Sequence, residues 1–400
     1  MAKRDDEGAA PAAEPADDAP GGFLVVVGSS AGGIDALSVL VSTLPKHFPA
    51  PIIIAQHLDP RRPSHLAEIL ARRTELPVAT VEDRAVLAPG SIYVVPANSQ
   101  VGVTDHGVRL SHPSDARPMP SVDHVLTTAA AAFGEQLIAV ILTGAGSDGA
   151  EGARQVKASG GTVIIQDPAT AQYPSMPASL APTSVDIVAR IDAIGPLLHE
   201  LVSGAYSPSL PDEERLLATF LDDLKARTGV DFALYRRPTI LRRLQRRMAA
   251  TRTERLRDYM RFSAKHPEEY HRLSSSFLIK VTEFFRDPEL FDRLRDEILP
   301  QIIAEARENG RELRLWSAGC ATGEEAYSLA ILVHEAIGGE IDDWTVRVFA
   351  TDLDSEAVTF ARRGVYPGAS FQHLPAELVA RPRRRQVPSR RVKMTVFQSS

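Results

Sequence analysis

Residues Gly28-Ser29-Ser30-Ala31-Gly32 fit G-x-S-x-G, the spacing of a nucleophile elbow. A serine on a sharp strand-to-helix turn projects its hydroxyl out of a sheet. Glycines on either side admit a substrate, and N–H groups at the helix start, here near Ala31 and Gly32, can stabilise a developing oxyanion. Turns of this composition also hold phosphate or simply reverse the chain. No lysine follows as a P-loop requires, and the dinucleotide spacing G-x-G-x-x-G is absent. Two further residues have the types that a nucleophilic serine needs. His57 ends the apolar run Ile52-Ile53-Ile54-Ala55-Gln56, and Asp148 follows the run Leu137 to Leu142 within Thr143-Gly144-Ala145-Gly146-Ser147-Asp148-Gly149. Histidine can take the hydroxyl proton, and a carboxylate can fix the imidazole tautomer and stabilise the imidazolium. Taken singly, His57 reads as a structural strand-end histidine and Asp148 as a helix N-cap. Their chain order, Ser-His-Asp, is not the Ser-Asp-His of an α/β-hydrolase.

The elements that must position these residues follow from periodicity. Phe23 to Val27 is a β-branched run, and Ile34 to Leu44 repeats apolar residues at helical spacing, so the segment predicts strand, turn, helix. The runs at Ala50–Gln56, Ile92–Val95 and Gln136–Leu142 are further strands, and Val101–Leu110 predicts a hairpin around Asp105-His106-Gly107. The resulting fold class is α/β, a doubly wound and mainly parallel sheet. Ligands bind outside the carboxyl ends of the strands in such folds, and all three residues lie there.

A second strand–glycine turn–helix spans Glu312 to Ala330 through Gly319-Cys320-Ala321-Thr322-Gly323-Glu324, and the strand after it closes on Thr351-Asp352. A carboxylate ending the second strand of such a unit suits ribose hydroxyls. Between the two α/β units, Leu216, Leu217, Phe220, Leu221 and Leu224 predict one helix, and Ile240, Leu241, Leu244 and Met248 another. Arg242, Arg243, Arg246 and Arg247 occupy the other faces of that second helix. Ten arginines lie between Arg236 and Arg261, against only Glu254 and Asp258. Unpaired like charge along a helix points to an external anion. Nothing resembles a base-reading or aromatic-stacking module, so an acidic protein partner is expected rather than nucleic acid.

Length and composition set the frame. The chain has 400 residues, 44% hydrophobic and 24% charged, with a net charge of −6, which suits several globular domains. Apolar runs are strand-sized, so no membrane insertion is expected. Cys320 is the only cysteine, so no internal disulfide can form, and the N-terminus lacks an apolar signal region; cytoplasmic location is expected. Residues 1–20, rich in Ala, Pro, Asp and Glu, read as a disordered tail, and Tyr206 to Pro211 as a linker.

Together, Gly28-Ser29-Ser30-Ala31-Gly32-Gly33, Gln56-His57, Pro120-Ser121-Val122-Asp123, Leu142 to Ala150 and Met176-Pro177 make residues 21–205 resemble the catalytic domain of the CheB-type protein-glutamate methylesterases. The family's triad falls on Ser30, His57 and Asp148. That resemblance implies hydrolysis of glutamyl methyl esters, and glutamine deamidation, on chemoreceptors or related signalling proteins, with no cofactor. Ala31 stands where the family often has threonine. Twenty residues stand where the family usually has a phosphorylatable receiver domain, so phosphorylation in cis is not expected to switch this esterase. Residues 212–380 resemble the CheR-type receptor-glutamate methyltransferases, with a helical N-terminal domain (212–280) before an S-adenosylmethionine domain (281–400). The resemblance implies that Gly319, Glu324 and Asp352 contact the cofactor, that Thr282 and Arg286 line its site, and that the arginine-rich helix docks on receptor methylation helices. Lys280 replaces a common asparagine. After Leu374-Pro375 the chain turns into a basic, proline-broken stretch from Arg381 to Pro388 that looks like translation out of frame. The family's later strands are then expected to be missing, and methyl transfer and cofactor binding to be impaired. The alternatives are a non-catalytic receptor-binding adaptor and a serine esterase of small molecules.

Overall fold

The computed structural model describes residues 22–58, 64–97, 99–104, 107–111, 119–203, 211–232, 235–278, 282–366, 368–371 and 392–398. The expected tail 1–20, most of the linker, the turn residues Asp105 and His106, Lys280, and the stretch from Arg381 to Pro388 lie outside the described residues.

In chain order the first unit runs β1 (Leu24–Ser29), α1 (Gly33–Ser42), β2 (Ile52–Gln56), α2 (Leu66–Ala71), β3 (Val78–Thr80), β4 (Arg84–Val86), β5 (Ile92–Val94), β6 (Gln100–Thr104), β7 (Gly107–Ser111), α3 (Val122–Phe133), β8 (Leu137–Ile141), α4 (Ala150–Ala158), β9 (Thr162–Gln166), α5 (Ser175–Ala178), β10 (Ile187–Ala189) and α6 (Ile191–Ser203). Seven strands form one parallel sheet in the order β10-β9-β8-β1-β2-β5-β3. The predicted hairpin is present as β6 and β7, which join β4 in a small antiparallel sheet.

The central strand shows why the sequence takes this form. Every residue of β1 is buried, as a strand covered on both faces must be. Leu24 and Val26 join one core with Val122, Val125 and Leu126 of α3 and Ala153 and Val156 of α4. Val25 and Val27 join the other, with Leu37 and Leu40 of α1 and Leu198 of α6. From β1 the chain crosses through α1 to β2 on one side, and from β8 through α4 to β9 on the other. The direction of winding therefore reverses between β1 and β8, and a crevice opens at their carboxyl ends.

The helical unit comprises α7 (Pro211–Thr228), α8 (Arg237–Ala250), α9 (Leu256–Lys265) and α10 (Glu268–Phe277). Ile240, Leu244 and Met248 of α8 are buried beside Phe220, Tyr259 and Phe277, the stripe that the spacing predicts. The arginines of α8 correct the expectation of an external anion, because each is engaged within the chain. Arg242 pairs with Glu135, and Arg246, only 5% exposed, donates to the Gly160 carbonyl at 2.7 Å and lies 3.6 Å from Asp186. Arg247 makes a two-pronged bond to Glu269 at 2.8 and 2.9 Å, and Arg243 donates to the Ser276 and Leu278 carbonyls. The acidic partners come from distant parts of the chain, so a search for them along the helix itself misses them.

The third unit holds α11 (Pro288–Arg293), α12 (Leu299–Glu308), β11 (Glu312–Ala318), α13 (Glu324–Ile337), β12 (Thr345–Asp352), α14 (Ser355–Arg363) and β13 (Val392–Gln398). Its sheet is parallel, in the order β11-β12-β13. The expectation that the sheet stops before the basic stretch is corrected here. Val392-Lys393-Met394-Thr395-Val396-Phe397 alternates β-formers well enough to add a third strand beside β12. Unlike β1, these strands alternate in burial, with Val346, Val348 and Ala350 inside while Trp316 is 69% and Phe397 46% exposed. No described helix is long and apolar enough to cross a membrane.

Candidate active sites

Three strand ends bring the sequence-predicted trio together. Ser29 and Gln56 are register partners across β1 and β2, so Ser30 and His57 leave adjacent strands side by side. Asp148 arrives on the loop after β8, the neighbour of β1 on its other side. His57 Nδ1 lies 3.1 Å from Ser30 Oγ, and His57 Nε2 lies 2.8 Å from Asp148 Oδ2. Asp148 accepts only, so the Nε2 proton points to it, and the Nδ1 lone pair is left facing the serine hydroxyl.

Asp148 is held by more than the imidazole. Its carboxylate accepts the N–H of Val122 at 2.7 Å, the N–H of Asp123 at 2.9 Å and the hydroxyl of Ser121 at 3.3 Å. It therefore sits on the N-terminus of α3, where unsatisfied N–H groups and the helix dipole favour an anion. Burial works against its charge, but the hydrogen bonds from His57, Asp123 and Val122 outweigh burial and hold its pKa below the usual carboxylate value. Asp123, the next residue of α3, moves the other way. Burial and then the Asp148 charge push it up to about 7.

Gln56 fixes the spacing between nucleophile and base. Its amide nitrogen donates to the carbonyls of Ser30 and His57, both at 2.8 Å, and its oxygen accepts the Ser29 hydroxyl at 2.5 Å. The side chain is 3% exposed with its polar groups paired. Gly33 makes room for it, since a Cβ at that position would overlap Gln56 Oε1. Gly28 has a like role, for a Cβ there would overlap Val122 of α3.

At the oxyanion position the backbone sorts its donors. The N–H of Ser30 is spent on the Thr143 carbonyl at 3.1 Å, and that of Gly33 on the Ser30 carbonyl at 2.8 Å. The N–H groups of Ala31 and Gly32 find no backbone or side-chain acceptor among the described residues; Gly32 takes a φ of 72° at the start of α1. Sequence reasoning singled out this trio and this pair of amides. It gave no role to Gln56, Ser121 or Asp123, whose bonds here join residues 26 to 29 positions apart.

The second site is built differently. Gly319, Ala321 and Gly323 take φ of 74°, 45° and 95° in the turn between β11 and α13. Asp352, at the end of β12, accepts the N–H of Ala321 and of Asp354, both at 2.8 Å. Each carboxylate oxygen still has acceptor capacity after that. Glu324 is 3% exposed and takes the Thr322 hydroxyl at 2.6 Å, and burial raises its pKa. It forms the wall of the turn. Thr282 is half-buried and Arg286 exposed on the segment before α11. That segment reaches the turn through Phe284, whose ring packs on Tyr366 and Phe371, while Tyr366 donates to the Thr322 carbonyl at 2.6 Å. Beside Gly319 the space is open, since a Cβ there would meet no atom within 4 Å. An open glycine, a half-buried carboxylate at a strand end and a positive helix start suit the sugar and charged tail of a nucleoside cofactor.

A cleft of about 1480 Å³ lies where the three units meet; its wall includes Leu353 and Asp354 beside Asp352, and its wall residues Lys157 and Asp186, and Arg247 and Glu269, pair with one another.

Comparison with known proteins agrees with this division of the chain. Residues 25–198 match the CheB methylesterase family, 215–278 the all-alpha domain of CheR methyltransferases, and 280–398 their SAM-binding domain. An uncharacterised 104.1 kDa protein of Rhodobacter capsulatus is 33% identical over 346 residues, which are 79% of this chain but 36% of that one. This chain therefore spans about a third of that relative's length. A Leptospira interrogans protein assigned as a protein-glutamate methylesterase/protein-glutamine glutaminase is 36% identical over 44% of this chain and 93% of its own length. The crystal structure of the Thermotoga maritima CheB methylesterase catalytic domain is 39% identical, with a TM-score of 0.43, covering 45% of this chain and 99% of that one.

Proposed function

The chain belongs to the CheB methylesterase family and carries CheR methyltransferase domains in the same polypeptide, and from that premise we propose that Ser30, His57 and Asp148 hydrolyse glutamyl γ-methyl esters on chemoreceptors or related signalling proteins. The observation that carries this reading is the unbroken contact from Asp148 through both ring nitrogens of His57 to the Ser30 hydroxyl.

The steps follow from that contact. His57 Nδ1 takes the proton of Ser30 Oγ as the oxygen attacks the ester carbonyl. The carbonyl oxygen becomes negative, and the N–H groups of Ala31 and Gly32 are placed to receive it. Asp148 stabilises the imidazolium and keeps its Nε2 proton in place. The Nδ1 proton then passes to the departing methoxide, methanol leaves, and an acyl-serine remains. Water, deprotonated by the same nitrogen, releases glutamate and restores the hydroxyl. With glutamine as substrate the leaving group is ammonia, and the glutaminase reaction uses the same acyl-serine.

For the second domain we propose that Asp352 holds the ribose hydroxyls of S-adenosylmethionine, that Gly319 and Glu324 form the turn against it, and that Thr282 and Arg286 line the site. The cofactor, when bound, supplies an activated methyl group. The protein's part is to align a glutamyl carboxylate with it, so proximity does most of the work.

The test is methanol release from a peptide bearing a glutamate γ-methyl ester. The full chain is expected to release methanol and Ser30→Ala to fall to background. Equal release by the two would contradict the proposal.

A further inference from the structure

The loop that carries Asp148 has a second carboxylate behind it. Asp123 lies in the first turn of α3, and its Oδ1 accepts the N–H of Gly149 at 2.8 Å and of Gly152 at 2.7 Å. These two amides belong to the start of α4, directly after Asp148. Asp148, for its part, accepts the N–H groups of Val122 and Asp123 at the start of α3. Each carboxylate thus caps the other's helix. The exchange ties two N-termini, 26 residues apart in sequence, into one rigid corner.

The surrounding residues favour this close approach. Gly149 takes a φ of 103°, and a Cβ on it would press Ile141 and Val122. A Cβ on Gly152 would press the Leu126 side chain at 2.6 Å. Without those Cβ atoms α4 comes near enough for one short side chain to reach both amides. Val122 fills the space above Gly28, so α3 is also seated on the nucleophile's own strand. The position of Asp148 relative to His57 therefore depends on a corner in which Asp123 supplies half of the bonds.

We propose that Asp123 is a positioning residue for hydrolysis: by accepting the Gly149 and Gly152 amides it holds the Asp148 loop at the distance from His57 that proton transfer needs. This rests on the Ser30–His57–Asp148 reading and deepens it. An ordinary helix cap would have the same bonds, yet its loss would cost stability without acting through Asp148. The two roles separate in a double-mutant cycle.

The experiment measures methanol release and thermal unfolding for the full chain and for Asp123→Ala, Asp123→Asn, Asp148→Ala and the Asp123→Ala/Asp148→Ala pair, with Ser30→Ala alongside. Asp123→Ala is expected to lower kcat by about 10- to 100-fold, the scale of a small misplacement of a catalytic group, with KM little changed. Asp123→Asn keeps an acceptor oxygen and is expected to recover most of that loss. Once Asp148 is alanine, removing Asp123 is expected to lower kcat no further. If Asp123→Ala does not fold, Asp123→Ser, with a shorter acceptor, takes its place in the cycle. A parental kcat in the Asp123 variant, or the same fractional loss in both backgrounds, overturns the inference and leaves Asp123 a helix cap. Methanol release by Ser30→Ala overturns the triad reading and this inference together. A silent Ser30→Ala beside an unaffected Asp123→Ala overturns this inference alone.

Discussion

The turns at Gly28–Gly33 and Gly319–Glu324 are built alike and equipped differently. Both follow a parallel strand, and both use a left-handed glycine to enter a helix. At the first, the neighbouring strands deliver side chains that meet each other, His57 from β2 and Asp148 after β8. At the second, the carboxylate delivered by β12 spends two of its acceptor sites on backbone amides, one of them from the turn itself, and the space beside Gly319 stays open. A strand–glycine turn–helix thus sets where chemistry can occur. On the proposed reading, the adjoining strand ends decide whether the site reacts or holds a ligand.

Substitutions at matching positions sharpen this contrast. The largest effect is expected from the two strand-end carboxylates. Asp148→Asn should lower the rate of methanol release about 10⁴-fold, because the amide no longer enforces the reactive tautomer. Asp352→Asn should leave that rate unchanged and weaken S-adenosylhomocysteine binding, read by calorimetry. Comparable losses of esterase activity in both would erase the distinction. Next come the glycines. Gly33→Ala drives a methyl group into the buried Gln56 amide and should cost about 1–3 kcal/mol of stability in urea unfolding, with loss of hydrolysis. Gly319→Ala meets open space and bears only the cost of its φ of 74°, about 1 kcal/mol.

A separate prediction is a pH dependence. Asp123 moves from 3.8 to about 7 on folding, with Asp148 and, beyond it, His57 as the groups facing it. Between those values the folded chain keeps a proton that the unfolded chain has lost. Its contribution is therefore complete below the unfolded value and is lost as pH rises through about 7. Asp148, lowered on folding, contributes above its unfolded value and loses that contribution on acidification. Thermal unfolding of Asp123→Asn and the parent from pH 4 to 8 should show the parent's relative advantage shrinking as pH rises. A gap that widens with pH would contradict the assignment.

Strand ends were legible in the sequence because buried parallel strands are continuous apolar runs, and Ser30, His57 and Asp148 each follow one. The helical stripe Ile240–Leu244–Met248 was legible for a similar reason. Spacing alone could not show where Arg242, Arg246 and Arg247 find acids, since Glu135, Asp186 and Glu269 reach them only through tertiary packing. Asp123 was visible within Pro120-Ser121-Val122-Asp123, but a cap on a helix 26 residues away leaves no local periodicity. The alternation from Val392 to Phe397 was a usable signal for β13. The prolines and arginines before it masked that pattern.

The most direct measurement is the intact mass of the full chain after brief exposure to a fluorophosphonate, which adds to a serine only when its hydroxyl is activated. The geometry predicts one adduct per chain, mapped to Ser30 and slowed at least 100-fold in His57→Ala. An adduct elsewhere, or labelling of Ser30 at an equal rate without the imidazole, would contradict it.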